Sequence, residues 1–457
     1  MDDLRVRALN SAAVRSGARY VLYWAQMNRR VEHNHALAFA ASLANSLDLP
    51  LLYYEGLGYR YPHANDRLHT FLLEGVPENR KRVRALGAGY LFYLRRNEAD
   101  PGDVLYRLAA DAAAVVTDDY PVFVTARHNA RVPAKVPVPY FAVDASCIVP
   151  MSAIPSRQYG AYTIRPKIRK LLDRYLAPVQ PVRLARRFRG SPGEWHTEVA
   201  AAEIPRLVAA CAIDHTVPPS RTFRGGALEA EARLELFLDA NLSRYARHRN
   251  EPSEHATSRL SPYLHFGQIS ALEVALAVRA HAQRHKLIAD EFLEELIVRR
   301  ELGFNFARFT GRTDSLDELP EWARRTLAEH AGDPRPALYT REDFVEARTH
   351  DALWNATQKE MLVHGVIHAY YRMYWGKKII EWSASPAEAL ATMIHIHDRW
   401  ALDGRDPNTY ANILWCFGLH DRPWPERPVF GKVRYMSFDG MRRKTDVDAY
   451  IREMEAR

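Results

Sequence analysis

The chain has 457 residues, of which 47% are hydrophobic and 26% charged; this is too long for one ordinary core and predicts two domains in a soluble globular protein. The formal net charge of +8 and the isoelectric point near 9.3 suit a polyanionic partner such as DNA, because each neutralised phosphate releases counterions. Cys147, Cys211 and Cys416 follow no metal or redox spacing, which argues against a disulfide scaffold; with no signal peptide and no apolar stretch long enough to cross a bilayer, a cytoplasmic protein is expected, nucleoid-associated in a bacterium.

Short apolar, β-prone runs come first: "YVLYW" (20–24), "LPLLYYEGL" (49–57), "GYLFYL" (89–94), "AAVVTDD" (113–119) and "PVPYFAVD" (137–144). Helical stretches such as "HNHALAFAASLANSLD" (33–48) lie between several of them. Alternation of this kind predicts an α/β fold, a doubly wound, Rossmann-like parallel sheet. No GxGxxG or GxxxxGK[ST] follows any strand, so the usual phosphate-binding turn is missing. From about 181 to 228 the chain turns Pro/Gly/Arg-rich ("PVRLARRFRGSPGEW", "HTVPPSRTFRGG") and reads as a linker. Beyond it strand-like runs nearly vanish. "ALEAEARLELFLDANLSRYARHR" is amphipathic, and "SPAEALATMIHIHDRWAL" opens with Ser385 as N-cap, Pro386 at N1 and Glu388 at N3, the pattern of a capping box. The expected organisation is an α/β domain over 1–180, a linker over 181–228 and an all-helical domain over 229–457.

Four stretches could carry chemistry. In "YARHRNEPSEHATSRLSPYLHFGQIS" (245–270), Thr257, Ser258 and Ser261 stand at the start of a helix, where free N–H groups suit a phosphate; ordinary N-capping reads equally well from these residues, and is commoner. In "FLEELIVRRELGFNF" (292–306) the plain explanation of the charges is surface pairing such as Glu295 with Arg299. Six of the nine tryptophans lie between 354 and 424. Trp375 and Trp382 share a helix face about 10 Å apart, but one continuous helix would hold Trp354 ~31 Å from Trp375. Gly365 offers a break where the chain could fold back. Core packing is the commoner role for such residues. His395 and His397, two apart on a helix, point away from each other and are discounted as a metal pair. Near the C-terminus Arg422, Arg427, Lys432, Arg434, Arg442, Arg443 and Lys444 interleave with Trp424, Phe430 and Tyr435, a mixture suited to phosphates and bases together.

The segments "TSRLSPYLHFGQIS", "EELIVRRE", "THDALWNATQKEMLVHG", "YYRMYWGKK", "LDGRDPN" and "HDRPWPERPVFGKVRYMS", in this order, resemble the photolyase/cryptochrome flavoproteins, most closely the class II cyclobutane pyrimidine dimer photolyases. The resemblance implies an N-terminal antenna domain and a C-terminal helical domain holding a U-shaped FAD. It implies that Tyr245, Arg249, Thr257, Ser258, Leu260 and Ser261 hold the cofactor's phosphates and neighbouring atoms. Arg372 and Asp403 would stand as an ion pair beside the isoalloxazine near N5, favouring the reduced anion FADH⁻. The implied reaction is light-driven electron transfer to a dimer flipped out of duplex DNA. Glu295, Trp415 and Met373 would form the dimer pocket. Arg422, Trp424 and Arg434 would hold the opened strands, and Trp354, Trp375 and Trp382, with Tyr339 as accessory, would relay electrons to the flavin.

Two positions depart from the family pattern. His397 stands where an asparagine is usual near N5, and its charge would titrate near neutrality. Arg299 stands where some relatives place a tryptophan, so that a cation faces the dimer opposite Trp415. The antenna chromophore stays open between a deazaflavin, a folate and none. DNA containing cyclobutane dimers is the expected partner, with no membrane and no metal, and the chain is expected to act as a monomer. Three rival readings fit the residues less well. A (6–4) photolyase would carry two histidines where Ala369 and Met373 stand. A cryptochrome light receptor commonly carries a long extension after "VRYMS". A helical DNA-binding protein without flavin would leave Arg372 and Asp403 unexplained.

Overall fold

The computed structural model describes residues 3–190 and 193–456. Six strands, β1 (Val6–Ala8), β2 (Tyr20–Ala25), β3 (Leu51–Leu57), β4 (Gly89–Leu94), β5 (Ala112–Asp118) and β6 (Tyr140–Val143), form one sheet of order β1-β6-β5-β2-β3-β4. All neighbours are parallel except β1, which runs antiparallel to β6. Parallel strands buried on both faces read as unbroken apolar runs, and every residue of β2, β4 and β5 is buried. Alternate side chains of β2 serve opposite faces. Val21, Tyr23 and Ala25 pack with helices His35–Ser46 and Asp66–Ala85, whereas Tyr20, Leu22 and Trp24 pack with helix Val104–Asp111. Asn34 caps the first of these helices, its Oδ1 accepting from the Ala36 and Leu37 N–H groups.

The Pro/Gly/Arg-rich segment is strapped along the outer edge of the sheet. Phe188 N–H donates to Gly87 O (2.8 Å), Thr197 N–H to Phe92 O (2.7 Å) and Ala212 N–H to Arg96 O (2.8 Å). Thr197 and Phe92 thus pair the segment to β4, an edge that would otherwise present open backbone groups.

From Ala227 onward the described residues form helices. Helix Ala352–His364 ends at Gly365, whose φ of +79° is the left-handed region that favours glycine; a Cβ there would meet Leu402 Cγ at 3.0 Å and Arg67 Cδ at 3.2 Å. The chain reverses into helix Ala369–Trp382, making the hairpin that the sequence suggested. Helix Pro386–Trp400 follows, with Ser385 Oγ accepting from Glu388 N–H, then helix Pro407–Cys416 and, last, helix Val447–Glu455. One large core runs from the sheet into this helical region through Tyr263, Leu296 and Leu402. Two buried polar side chains tie the regions further. Arg67 donates to Met361 O (2.9 Å) and Trp400 O (2.8 Å) at the hairpin corner. Glu301 accepts from the Ile148 and Val149 N–H groups at 2.7 and 3.0 Å.

Candidate functional site

The helical region encloses a cavity of about 680 Å³, in the size range of cofactor sites, lined by residues from Phe223 to Met454. Tyr245, Arg249, Thr257, Ser258, Leu260 and Ser261 all stand on its wall. The helix they precede, Ser261–His265, is only five residues long, has Leu260 at its N-cap and lacks a side-chain cap. The Thr257 and Ser258 hydroxyls are therefore not spent on capping, and so short a helix adds little dipole. Arg249, Arg259 and Arg372 supply the positive charge of the wall instead.

Arg372 and Asp403 form an ion pair, Nη2 to Oδ2 2.9 Å. Burial opposes ionisation of Asp403, but the Arg372 guanidinium and the Ser261 hydroxyl override it and hold the carboxylate below its ordinary range. His397 is buried beside them, its ring 4.9 Å from that of Trp375. Burial first, then the charge of Arg372, push its pKa down to about 3. Its Nδ1 lies 3.2 Å from Met393 O, and a carbonyl only accepts, so Nδ1 carries the proton and Nε2 presents a lone pair. The expectation of a charge titrating near neutrality is corrected on this point: desolvation keeps the ring neutral.

Glu295, Met373 and Trp415 line the same cavity. Glu295 does not pair with Arg299; it holds Arg249 Nη1 at 2.7 Å. Arg299 instead lays its guanidinium over the Trp415 ring, 5.3 Å from the centroid. Glu294–Arg299 is a π-helical segment, a local widening frequent at functional sites and invisible to hydrophobic periodicity.

The hairpin at Gly365 brings the three tryptophans together. Trp354 stacks on Trp375 with centroids 6.2 Å apart and planes 9° apart, and lies 6.3 Å from Trp382. Trp354 Nε1 donates to Trp375 O (3.0 Å) and Trp375 Nε1 to Gln358 Oε1 (2.9 Å), so the indoles are held in register. Trp375 touches the cavity. Trp382 is the far end, with Tyr339 at 5.7 Å and the exposed His350 at 4.9 Å. The geometry thus gives the spatial order Trp375, Trp354, Trp382, then Tyr339.

At the mouth, Arg422 and Arg434 lie over the Trp424 ring at 5.3 and 5.1 Å. The sequence reading gave no role to several wall residues. Glu360 is half-buried, with its pKa raised by desolvation; its Oε2 accepts from Tyr450 OH (2.7 Å) and His368 N–H (3.1 Å). Glu360 stood inside a quoted motif, and Val447, Tyr450 and Met454 are spaced as one helix face, which were the available signals.

Residues 21–184 match the family model for DNA photolyase. A deoxyribodipyrimidine photo-lyase of Methanothermobacter thermautotrophicus is 40% identical over 448 residues, 98% of this chain and 97% of that protein. This chain belongs to the DNA photolyase family. A deoxyribodipyrimidine photo-lyase of Oryza sativa subsp. japonica is 38% identical, over 98% of this chain and 89% of that protein. The crystal structure of a class III photolyase from Agrobacterium tumefaciens superposes with a TM-score of 0.70 at 16% identity, covering 97% of this chain and 88% of that one. That likeness speaks to the fold, an N-terminal α/β unit joined to a helical one. No helix among the described residues is long and apolar enough to cross a membrane.

Proposed function

We propose that this photolyase-family chain repairs cyclobutane pyrimidine dimers in DNA with light, as a class II member that holds FAD in the helical cavity. The observation that carries the reading is the cavity itself. Its lining brings hydroxyls and cations together with Glu295, Met373 and Trp415, and Trp375 joins it to a stacked indole column.

A flavin dinucleotide fits the residues present. Three buried polar atoms on the wall, Arg372 Nε, His397 Nε2 and His368 Nε2, have no partner within the protein, and such atoms are costly unless a ligand or water satisfies them. Arg249, Thr257, Ser258 and Ser261 would hold the pyrophosphate, and Tyr245 and Leu260 the neighbouring atoms. When bound, reduced FAD supplies a light-excited electron donor, and the dimer's ring opens on the borrowed electron, which then returns. Arg372 keeps a fixed cation in the cavity wall without reorganisation, which favours negative charge nearby. Asp403 orients that guanidinium. Glu295 would accept or donate at the base edge of the dimer, Trp415 would carry the flipped bases on its face, and Met373 would close the pocket. Arg299 would meet the dimer beside Trp415, while Arg422, Trp424 and Arg434 hold the parted strands. Trp375, Trp354 and Trp382 would conduct electrons from the protein surface toward the flavin. The N-terminal unit over 1–180 would be the antenna unit, with 181–228 as its connection to the helical unit over 229–457; all strands fall in the first range.

The test is direct: reduced protein is illuminated with DNA containing cyclobutane dimers and the dimers are counted. Loss in light and none in darkness is expected. Equal loss in darkness, or none in light, would end the reading.

A further inference from the structure

Beside the main cavity lies a second one of about 290 Å³. Tyr370, Arg434 and Met436 belong to both linings and form the partition between them. The far side of the smaller cavity is aromatic and cationic: Trp424, Tyr435, Arg427 and Lys444. The rings already carry cations on their faces, with Arg427 over Tyr435 at 5.2 Å and Arg434 over Trp424 at 5.1 Å. Among the described residues, Arg427, Arg434 and Lys444 have no carboxylate partner within ion-pair distance. Flat π-faces beside unpaired cations are what a nucleotide needs, stacking for its base and charge for its phosphate.

We propose that this smaller cavity receives one base of the undamaged strand, the base that faced the dimer before the dimer left the helix. The inference rests on the repair reading above. A dimer entering the main cavity leaves its former partners without hydrogen bonds or a stacking neighbour. Bases elsewhere in the duplex would have to be unpaired and unstacked first, which costs a few kcal/mol; the orphaned base has already lost that stabilisation. It also lies across the gap from the dimer, as the smaller cavity lies across the partition from the larger. The stacked Arg422–Trp424–Arg434 group at the rim occupies the vacated space, and Tyr435 with Tyr370 offers the next surface to the displaced base. Arg427 and Lys444, both exposed at the rim, then meet its phosphate.

The experiment uses the full chain and two probes that share one dimer-bearing strand, free or annealed to a complement carrying 2-aminopurine opposite the dimer. Binding is followed by fluorescence anisotropy in Tyr435→Leu and in the exposed-residue variant Lys444→Gln. Tyr435→Leu is expected to weaken duplex binding about tenfold, the scale of one base–aromatic stack, and to leave single-strand binding unchanged. Lys444→Gln is expected to lower the salt dependence of duplex binding by about one phosphate contact, without altering that of the single strand. The unsubstituted protein should quench 2-aminopurine, and Tyr435→Leu should restore its emission. Equal weakening on both probes, or 2-aminopurine emission that ignores Tyr435, would overturn the proposal while leaving dimer recognition intact. An unsubstituted protein that shows no preference for dimer-containing DNA in either form would overturn the repair reading instead, and this proposal with it.

Discussion

Two polar crevices in this chain invite comparison, one at the end of the sheet and one among the helices. Open α/β sheets bind ligands where the strand order reverses, beyond the carboxyl ends of the strands, and here that point lies between β2 and β5. It is filled by the protein itself. Asp118 Oδ2 accepts from the N–H groups of Gln26, Met27 and Asn28 at 2.9, 2.7 and 3.0 Å, and its Oδ1 accepts from Tyr23 OH at 2.9 Å. A carboxylate of the chain sits among backbone N–H groups of the kind that elsewhere hold a phosphate. The helical cavity is the opposite case: its hydroxyls and cations face open space, and Arg372, His397 and His368 each keep a polar atom unsatisfied. The sheet crevice is satisfied mostly from within, Asn28 Nδ2 being its exception, whereas three residues lining the helical cavity each leave such an atom without a partner in the protein.

The most disruptive way to break that comparison is to empty the saturated crevice. Asp118→Ala should strand two buried N–H groups, of Gln26 and Asn28, and the partly buried one of Met27, and lower unfolding stability by about 3 kcal/mol, since each unsatisfied buried group costs ~1–3 kcal/mol. Denaturant midpoints would measure it. A near-neutral result would mean that the crevice is looser than its hydrogen bonds indicate. In the helical region the corresponding test is Trp354→Phe. The middle indole of the column is lost but its aromatic bulk is mostly kept, so light-driven reduction of bound oxidised flavin should fail. Chemically reduced protein should still repair dimers. Unchanged photoreduction would rule out this column as the electron path.

How far the sequence revealed each region follows from the kind of bonding each uses. β2 to β6 were legible because strands buried on both faces are mostly apolar, the buried Glu55 and Asp118 near the ends of β3 and β5 being exceptions. β1 was not, since Val6–Ala8 is a three-residue edge with an arginine at its centre. The 181–228 segment read as a linker because backbone bonds to a sheet edge impose no side-chain period. The Gly365 reversal was legible, as glycine readily takes the left-handed conformation that ends a helix. Arg249 with Glu295 was not, since the partners are far apart in sequence and Glu295 had Arg299 four residues away as a closer alternative. The π-helical turn at Glu294–Arg299 is a shift of backbone register, and residue type does not encode it. Glu360 carried no signal of its own; only the last helix, arriving with Tyr450, gives it a partner in the wall.

A smaller effect should appear at the joint between the two regions. Burial raises the pKa of Glu301 to about 8, although the Ile148 and Val149 N–H groups favour its ionised form. A carboxyl with a raised folded pKa keeps a proton that the unfolded chain releases. Its contribution is therefore full below the ordinary value of 4.5 and is lost as pH rises toward 8. Stability should fall across that window, and Glu301→Gln, which retains an acceptor for both N–H groups, should flatten the fall. Parallel pH profiles for the two proteins would show that Glu301 ionises inside the fold without cost.

The smallest expected effect is at His397, and it sharpens the comparison most finely, because here a single atom is left unsatisfied by design of its neighbours. Nδ1–H is committed to Met393 O, and burial holds the ring neutral down to about pH 3. The free Nε2 can then accept a hydrogen bond but not donate one. An asparagine side chain in its place could do either. A redox titration of the bound flavin between pH 5 and 9 should accordingly show the same pH slope in the unsubstituted protein and in His397→Asn. A break in slope near neutrality that vanishes in the variant would show that the imidazole gains a proton in the loaded cavity. The flavin's own charge would then have to outweigh the desolvation and the Arg372 cation that oppose protonation.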